Sequence, residues 1–426
     1  MAAGRYERGF RRLWAATSLS GLGDGARIAS FAVLAATLTH DPLQVALVTV
    51  AARVPWVLVG PFTGALVDRV PHWRTMWLCD VVRAVLMSLF VVLLALGQVG
   101  IGLLVCVSFL LSSIDTLAEN LAQAVVPQVA GTVSLETANS RIMGGQLVAG
   151  EFIGTAAGTA LFALSAPLPF AVDAATFLAA ALLVRSVRPV PGQAAERGHP
   201  LPSSGIFAEV AEGFRWLWRH RTLRTVCLLI GLLNFCVLTV MGIAVLYALN
   251  VLHISAAAYG AALVVIGLGG LAGLLVAPAC VARLGRGGTL KLALGLAPAP
   301  FLIAGLTSDV LVAASGLTLV GASITLATVV TTALRQDLIP QPLFGRVNSA
   351  YRLVINGVSP LGGLAGGVLA GVLGLRAPFI LAGSVMAVAA LVGLCLSITD
   401  STTSGAAGPD AARMSGQSTD GSKGNV

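Results

Sequence analysis

The sequence predicts an all-α integral membrane protein of about twelve transmembrane helices in two parallel six-helix halves, and three observations carry that prediction. Of 426 residues, 57% are apolar and only 10% charged, with a mean hydropathy of +0.91. That is more apolar surface than a soluble fold can hide. The apolar residues form uninterrupted runs long enough to cross a bilayer, not the short alternating strands of a barrel. A short polar pattern recurs after six such runs, which makes the halves parallel repeats. The 49 glycines sit inside Leu/Val/Ala runs with no collagen-like period, which excludes disorder for all but the ends.

Taken in order, the runs lie near 13–38, 44–67, 76–97, 101–126, 137–163, 167–187, 222–250, 256–282, 289–307, 310–334, 346–373 and 377–398. Each is read as a helix because a helix satisfies its backbone hydrogen bonds within one segment. The arginines ahead of the first run resemble the start of a signal peptide. That run passes Asp24 and continues to about Leu38 without a clear cleavage site, so it is expected to be a retained first span. Between runs six and seven, Pro189, Pro191, Pro200 and Pro202 precede an amphipathic stretch from Phe207 to Trp218, a linker followed by an interfacial helix. Beyond Thr399 the Ser/Gly/Asp-rich tail has no apolar periodicity and is expected to be disordered. The resulting division is an N-terminal half 1–187, a linker 188–221, a C-terminal half 222–398 and a tail 399–426.

The formal charge of +8 would suggest nucleic acid if it formed a surface patch, but the arginines flank the apolar runs instead. Only Lys291 and Lys423 are lysines, an Arg, Ala and Gly bias expected of a GC-rich bacterial genome. Arginines crowd the N-terminus (Arg5, Arg8, Arg11, Arg12), the loop at Arg69 and Arg74, and the stretch from Arg185 to Arg224. The alternate loops near His40, Gly97, Pro167, His253 and Asp309 are nearly free of Lys and Arg, Arg376 excepted. The positive-inside rule then places both termini in the cytoplasm of a bacterial plasma membrane. The six cysteines all lie in apolar stretches with no CxxC pair, and read as small buried residues.

The repeat reads Gln123-Ala-Val-Val-Pro127-Gln128 in the first half and Gln336-Asp-Leu-Ile-Pro340-Gln341 in the second, each followed by Asn-Ser, at Asn139 and Asn348. Gly154 to Gly158 in span five matches Gly362 to Gly366 in span eleven. Two parallel six-helix halves joined by a long loop resemble the major facilitator superfamily of secondary transporters. The loop after span two, Gly60-Pro-Phe-Thr-Gly64-Ala-Leu-Val-Asp68-Arg69-Val-Pro-His-Trp-Arg74, looks like that superfamily's signature loop, with Pro71 in place of a glycine. Gly64 permits close helix approach, while Asp68 at a helix end can accept hydrogen bonds and pair with arginines, a latch that breaks when the halves rock. Its counterpart after span eight (Gly273, Arg283, Arg286) lacks the Asp.

In span five, Gly150, Gly154 and Gly158 stand four apart on one helical face, which also suits ordinary small-residue packing. The stretch is similar to the superfamily's antiporter motif, although Thr155 stands where that motif has proline. Span eleven keeps the proline, with Gly357, Pro360 and Gly362.

Ionisable residues inside spans are costly and need a partner or a cavity, at roughly 2.5–3.5 kcal/mol each at the bilayer centre. Asp24 and Arg27 are three apart, so they share a helix face and partly neutralise one another. Asp115 and Glu119, four apart, also share a face; two carboxylates a turn apart resist double ionisation, so one of them is expected to carry a proton. Glu151 lies midway through span five and Arg53 in the first half of span two. Asp80, Arg83, Arg141 and Asp173 fall nearer span ends, where snorkelling or a structural ion pair is the expectation. All the deep carboxylates belong to the first half.

No phosphate-binding loop, metal-ligand spacing or nucleophile triad is present in the sequence, so neither an enzyme nor a nucleotide-driven pump is expected. Leu19 to Asp24, Pro55 with Gly60 to Arg69, Asp80-Val-Val-Arg83, the Asn139-Ser pair, Phe170 to Ala174 and Gly345-Arg346-Val together resemble the drug:proton antiporter branch, which includes macrolide-efflux proteins and the enterobactin exporter. The resemblance makes Asp24 a candidate for substrate or cation contact and Asp115 with Glu119 candidates for proton coupling; Arg27, beside Asp24, and Glu151, deep in span five, join that site by position. It also implies a gating loop at Gly64, Asp68, Arg69 and Arg74. The expected protein is a monomeric, proton-driven exporter of a small amphipathic compound such as a drug, macrolide or siderophore, with no cofactor beyond the proton gradient. Two rivals are import or flipping of a lysophospholipid or nutrient by the same fold, and a membrane-embedded interaction protein.

Overall fold

The computed structural model describes residues 2–67, 69–129, 135–187, 206–340 and 343–395. The linker residues 188–205, Asp68 and the tail expectation from 399 onward lie outside the described residues. The helices are α1 (Ala2–Leu38), α2 (Pro42–Leu58), α3 (Gly60–Val67), α4 (His72–Ala95), α5 (Ile101–Val129) and α6 (Leu135–Gln146). A π-helical stretch, Leu147–Gly154, runs into α7 (Thr155–Leu164), followed by α8 (Leu168–Ser186), α9 (Ile206–Arg219), α10 (Arg221–Met241) and α11 (Ala244–Asn250). The remainder are α12 (Ala256–Leu296), α13 (Pro298–Leu306), α14 (Val310–Leu338), α15 (Phe344–Gly357), α16 (Ser359–Leu373) and α17 (Ala377–Cys395). Among the described residues there is no strand.

The apolar runs become these helices, with breaks where local chemistry calls for them. Among the described residues, eight segments are long and apolar enough to cross a membrane, and Pro42–Leu58 and Ala377–Val392 are shorter apolar helices. The longest segment, Ala256–Leu306, is more than one span: Gly285 has φ 68°, a conformation that glycine adopts without a Cβ clash, and the helix kinks there. Asp41 starts α2 and Asp309 starts α14 by accepting backbone N–H bonds, from Leu43 at 2.9 Å and from Leu311 at 2.8 Å.

The two halves use the same contact. In the first, Gly154 and Gly158 lie against α1 at Leu22 and Ala26; in the second, Gly362 and Gly366 lie against α10 at Phe235 and Thr239. A Cβ on Gly158 would stand 2.8 Å from the Ala26 carbonyl carbon, and one on Gly366 2.8 Å from that of Thr239. The small-residue motifs are therefore helix-packing surfaces. Gly357 has open space around it, and Pro360 is buried in the first turn of α16.

The halves meet through α2 with α16 and through α7 with α12. Gly367 faces Leu43 and Gly363 faces Val50, while Thr159 Oγ1 donates to the Ala257 carbonyl at 3.2 Å. These contacts lie toward the face that carries the loops at His40 and His253, opposite the Arg-rich face. On the Arg-rich face, α9 packs on α15 through buried Leu217 and the Arg346–Glu212 ion pair at 2.8 Å. Phe214 and Trp218 stack at 4.9 Å on the outer side of α9, each 40% exposed.

Candidate functional site

Six charged side chains from four helices converge inside the N-terminal half. Arg27 of α1 places Nη2 at 2.7 Å from Asp24 and 2.9 Å from Asp115 of α5, and Nε at 3.1 Å from Asp173 of α8. Arg83 of α4 pairs with Asp80 one turn earlier, and its Nη1 lies 2.8 Å from the other oxygen of Asp115. Asp115 is the hinge of the network, since each of its oxygens is held by a different guanidinium. Both arginines also stack on rings, Arg83 over Phe177 at 4.3 Å and Arg27 over Phe31 at 5.9 Å.

The sequence permits this assembly by removing bulk where helices must touch. Gly23 gives α8 room to approach: a Cβ there would stand 3.1 Å from the Asp173 Cα and would strike its carboxylate. Asp173 and Arg27 are consequently sealed, at 0% and 3% side-chain exposure. In so dry a place an unpaired charge is expensive, and each group depends on the others. Pairing is incomplete: four carboxylates face two guanidiniums, and neither Asp173 oxygen accepts an aligned hydrogen bond from the described residues, although Oδ2 lies within ion-pair distance of Arg27.

The structure corrects the reading of Asp80 and Arg83 as residues near a span end, while Asp173 lies in the second turn of α8, close to its start. All three are ion-paired, but buried within the same network as Asp24, Arg27 and Asp115. Helix α4 begins at His72, earlier than the apolar run suggests, so Asp80 and Arg83 lie two and three turns inside it. Arg141 is exposed, and its carbonyl accepts from Trp14 at 2.9 Å. The Asp115 and Glu119 pair divides its roles, because Glu119 is exposed and stands outside the ion-paired set. The cation that acts on it most strongly is Arg352, from the C-terminal half. Glu151, in the π-helical stretch, is exposed and acts on Arg53 of α2.

In the loop after α3, Asp68 is outside the described residues, and Arg69 and Arg74 are exposed. The repeat residue Gln128 holds the loop's far side: it accepts from Trp73 Nε1 at 3.1 Å and contacts His72 Nδ1 at 3.1 Å, while His72 Nε2 lies 3.0 Å from the Val67 carbonyl. In the second half, Arg286 finds its carboxylate on another helix, in Asp337 of α14. Among the described residues, no three His, Cys, Asp or Glu side chains are grouped so as to hold a metal ion.

Comparison with known proteins gives the family. The profile of the family MFS_3, described as transmembrane secretion effector, matches residues 4–416. An uncharacterized MFS-type transporter of Bacillus subtilis, YfiS, is 28% identical over 412 residues, covering 92% of this chain and 93% of that one. Among solved structures, a mutant form of the nucleoside transporter NupG matches with a TM-score of 0.75 at 11% identity, over 91% of this chain and 99% of NupG. A bacterial homologue of the iron transporter ferroportin, in an inward-facing state, matches with 0.73 at 18% identity, over 92% and 99%. At these identities the structures establish the fold alone. The chain belongs to the transmembrane secretion effector family of major facilitator membrane transporters.

Proposed function

We propose that this transporter exports a small amphipathic compound across the bacterial plasma membrane, driven by protons that enter through the N-terminal half. The Arg-rich face is then cytoplasmic, by the positive-inside rule. The observation that carries the reading is the buried network in which four carboxylates share two arginines. Such a set is a poor way to stabilise a fold, because apolar residues of similar volume serve as well or better. It is a good way to make helix contacts depend on protonation.

Arg27 ties α1 to α5 and α8, and Arg83 ties α4 to α5. A proton on Asp24 removes one of the three carboxylates competing for Arg27 and leaves the two interhelical ones to hold it. Glu119, exposed and one turn from Asp115 on α5, is the entry point for that proton. Alternating access follows if the two protonation states favour different packings of the halves.

The test is efflux of a panel of macrolides and cationic and anionic amphiphiles from energised cells, with and without a protonophore, for wild type, Asp24→Asn and Glu119→Gln. The expected result is protonophore-sensitive efflux that falls at least roughly tenfold in each variant, the scale of one lost charge-assisted interaction. Efflux indifferent to the protonophore and to both substitutions refutes proton coupling here, and net accumulation identifies an importer.

A further inference from the structure

The C-terminal half holds a polar cavity that the network does not use. It has a volume of about 480 Å³, lies between α14 and α15 near the Arg-rich face, and is lined by Thr332, Arg335, Gln336, Asn348, Arg352 and Asn356. Arg335 is held in place: it donates to Asn348 Oδ1, to Thr332 Oγ1 at 3.1 Å and to the Thr331 carbonyl at 3.3 Å, and lies over the Tyr351 ring at 4.4 Å. None of these partners is a carboxylate. Among the described residues neither Arg335 nor Arg352 makes an ion pair, and the two guanidiniums act on each other as like charges.

The sequence repeat makes the cation excess more pointed. At the offset that sets Gln123 on Gln336, Asp115 and Glu119 of the first half correspond to Thr328 and Thr332 of the second. Within the C-terminal half the acids are missing where the arginines stand; the carboxylate that Arg352 acts on, Glu119, belongs to the other half. Two positively charged forks in a half-buried pocket, surrounded by amide and hydroxyl donors, match the oxygens of one anionic group. Phe344 and Ile355 at the same wall supply apolar surface for what is attached to it.

We propose that this pocket binds the anionic head, a phosphate monoester or carboxylate, of the amphipathic cargo, with Arg335 and Arg352 as its two cationic contacts. The assignment rests on the export reading for the word cargo and on the pocket alone for the anion. It narrows the substrate class from small amphipathic compounds in general to amphiphiles carrying negative charge.

The test is binding of n-dodecyl phosphate to the full chain in phosphatidylcholine nanodiscs, by calorimetry, with n-dodecyltrimethylammonium as the cationic counterpart. The expected result is that R352Q and R335Q each weaken dodecyl phosphate binding roughly ten- to hundredfold, the range for losing one charged hydrogen-bond partner, and leave the cationic probe unaffected. Arg335 supports its neighbours, so a misfolded R335Q leaves R352Q, whose exposed side chain makes no such bonds, to decide. Equal binding by wild type and folded R352Q overturns the proposal. Binding of inorganic phosphate without dodecyl phosphate overturns the cargo assignment in favour of a free-anion site. Loss of dodecyl phosphate binding in phosphatidylglycerol nanodiscs overturns it in favour of a bilayer headgroup. The failures remain distinguishable: protonophore-sensitive efflux without dodecyl phosphate binding removes the anion alone, whereas binding without efflux removes the export reading.

Discussion

The two halves share a helix-packing scheme and differ in what fills it. Gly154 and Gly158 meet α1 at Leu22 and Ala26, just as Gly362 and Gly366 meet α10 at Phe235 and Thr239. With Leu22 set on Phe235, Asp24 falls on Val237 and Arg27 on Val240, the latter fully buried. Phe170 at the start of α8 likewise matches Phe379 at the start of α17, which sets Asp173 on Ala382. The C-terminal half closes around a large apolar core with neutral hydrogen bonds, such as Tyr247 Oη to the Ala304 carbonyl. One half therefore demonstrates that this packing needs no buried charge, and the charges of the other half are retained for what they do.

That contrast can be broken most forcefully at its centre. Arg27→Gln leaves Asp24 and Asp173 without their guanidinium and Asp115 with Arg83 alone, and is expected to cost about 3–5 kcal/mol of stability, the range for breaking a buried ion pair. Thermal unfolding in detergent measures it. Substituting the C-terminal counterparts together, D24V, R27V, D115T and D173A, is expected to recover most of that loss while abolishing transport; a quadruple variant as unstable as Arg27→Gln would show that the charges hold the fold.

A smaller effect tests whether the packing scheme is truly shared. Gly158→Val and Gly366→Val each drive a side chain into a neighbouring backbone and are expected to cost about 1–3 kcal/mol apiece, and by similar amounts. Gly371→Ala, in open space, is the control and is expected to be near neutral or slightly stabilising. Unequal losses at Gly158 and Gly366 would mean that one half relies on the contact more than its twin.

Smallest is the neutral hydrogen bond of the C-terminal core. Tyr247→Phe keeps the ring against Phe379, with centroids 4.2 Å apart, and removes only the hydroxyl. The expected cost is about 1 kcal/mol, read from the same unfolding experiment. A loss as large as that of Arg27→Gln would erase the distinction between a charged and a neutral interior.

Much of this architecture is legible in sequence because it depends on local chemistry. Apolar runs locate helices, and Gln123 to Gln128 against Gln336 to Gln341 reveals the repeat. Asp24 and Arg27 are legible as a pair because they share one helix face. The rest of the network is not, since Asp80, Arg83, Asp115 and Asp173 meet only through the neighbourhood of α1, α4, α5 and α8, which spacing along the chain does not encode. Gly23 is the signal that was available, a glycine one residue before a membrane-buried acid, which marks a place where another helix comes close. Arg335 and Arg352 escape for a related reason: near a helix end an arginine reads as a membrane anchor until the structure shows a cavity beside it.

The π-helical stretch at Leu147–Gly154 has a geometric consequence of its own. A bulge of this kind inserts an extra residue into the helical path, and one residue is about 100° of rotation about the helix axis. The sequence register of α6 is thereby offset by one residue from that of α7. The glycine stripe of the upper segment is seated on α1 through Gly154 and Gly158, and the lower segment meets the same helix at Gly145, where a Cβ would strike Ser18 and Trp14. Excising Val148 would restore an α-helical winding with Arg141 to Gln146, Gly154 and Gly158 on the faces they now hold, because the wider π turn absorbs the extra residue. The bulge thus lets one helix press small residues onto α1 on both sides of a point where its sequence repeat slips by one residue.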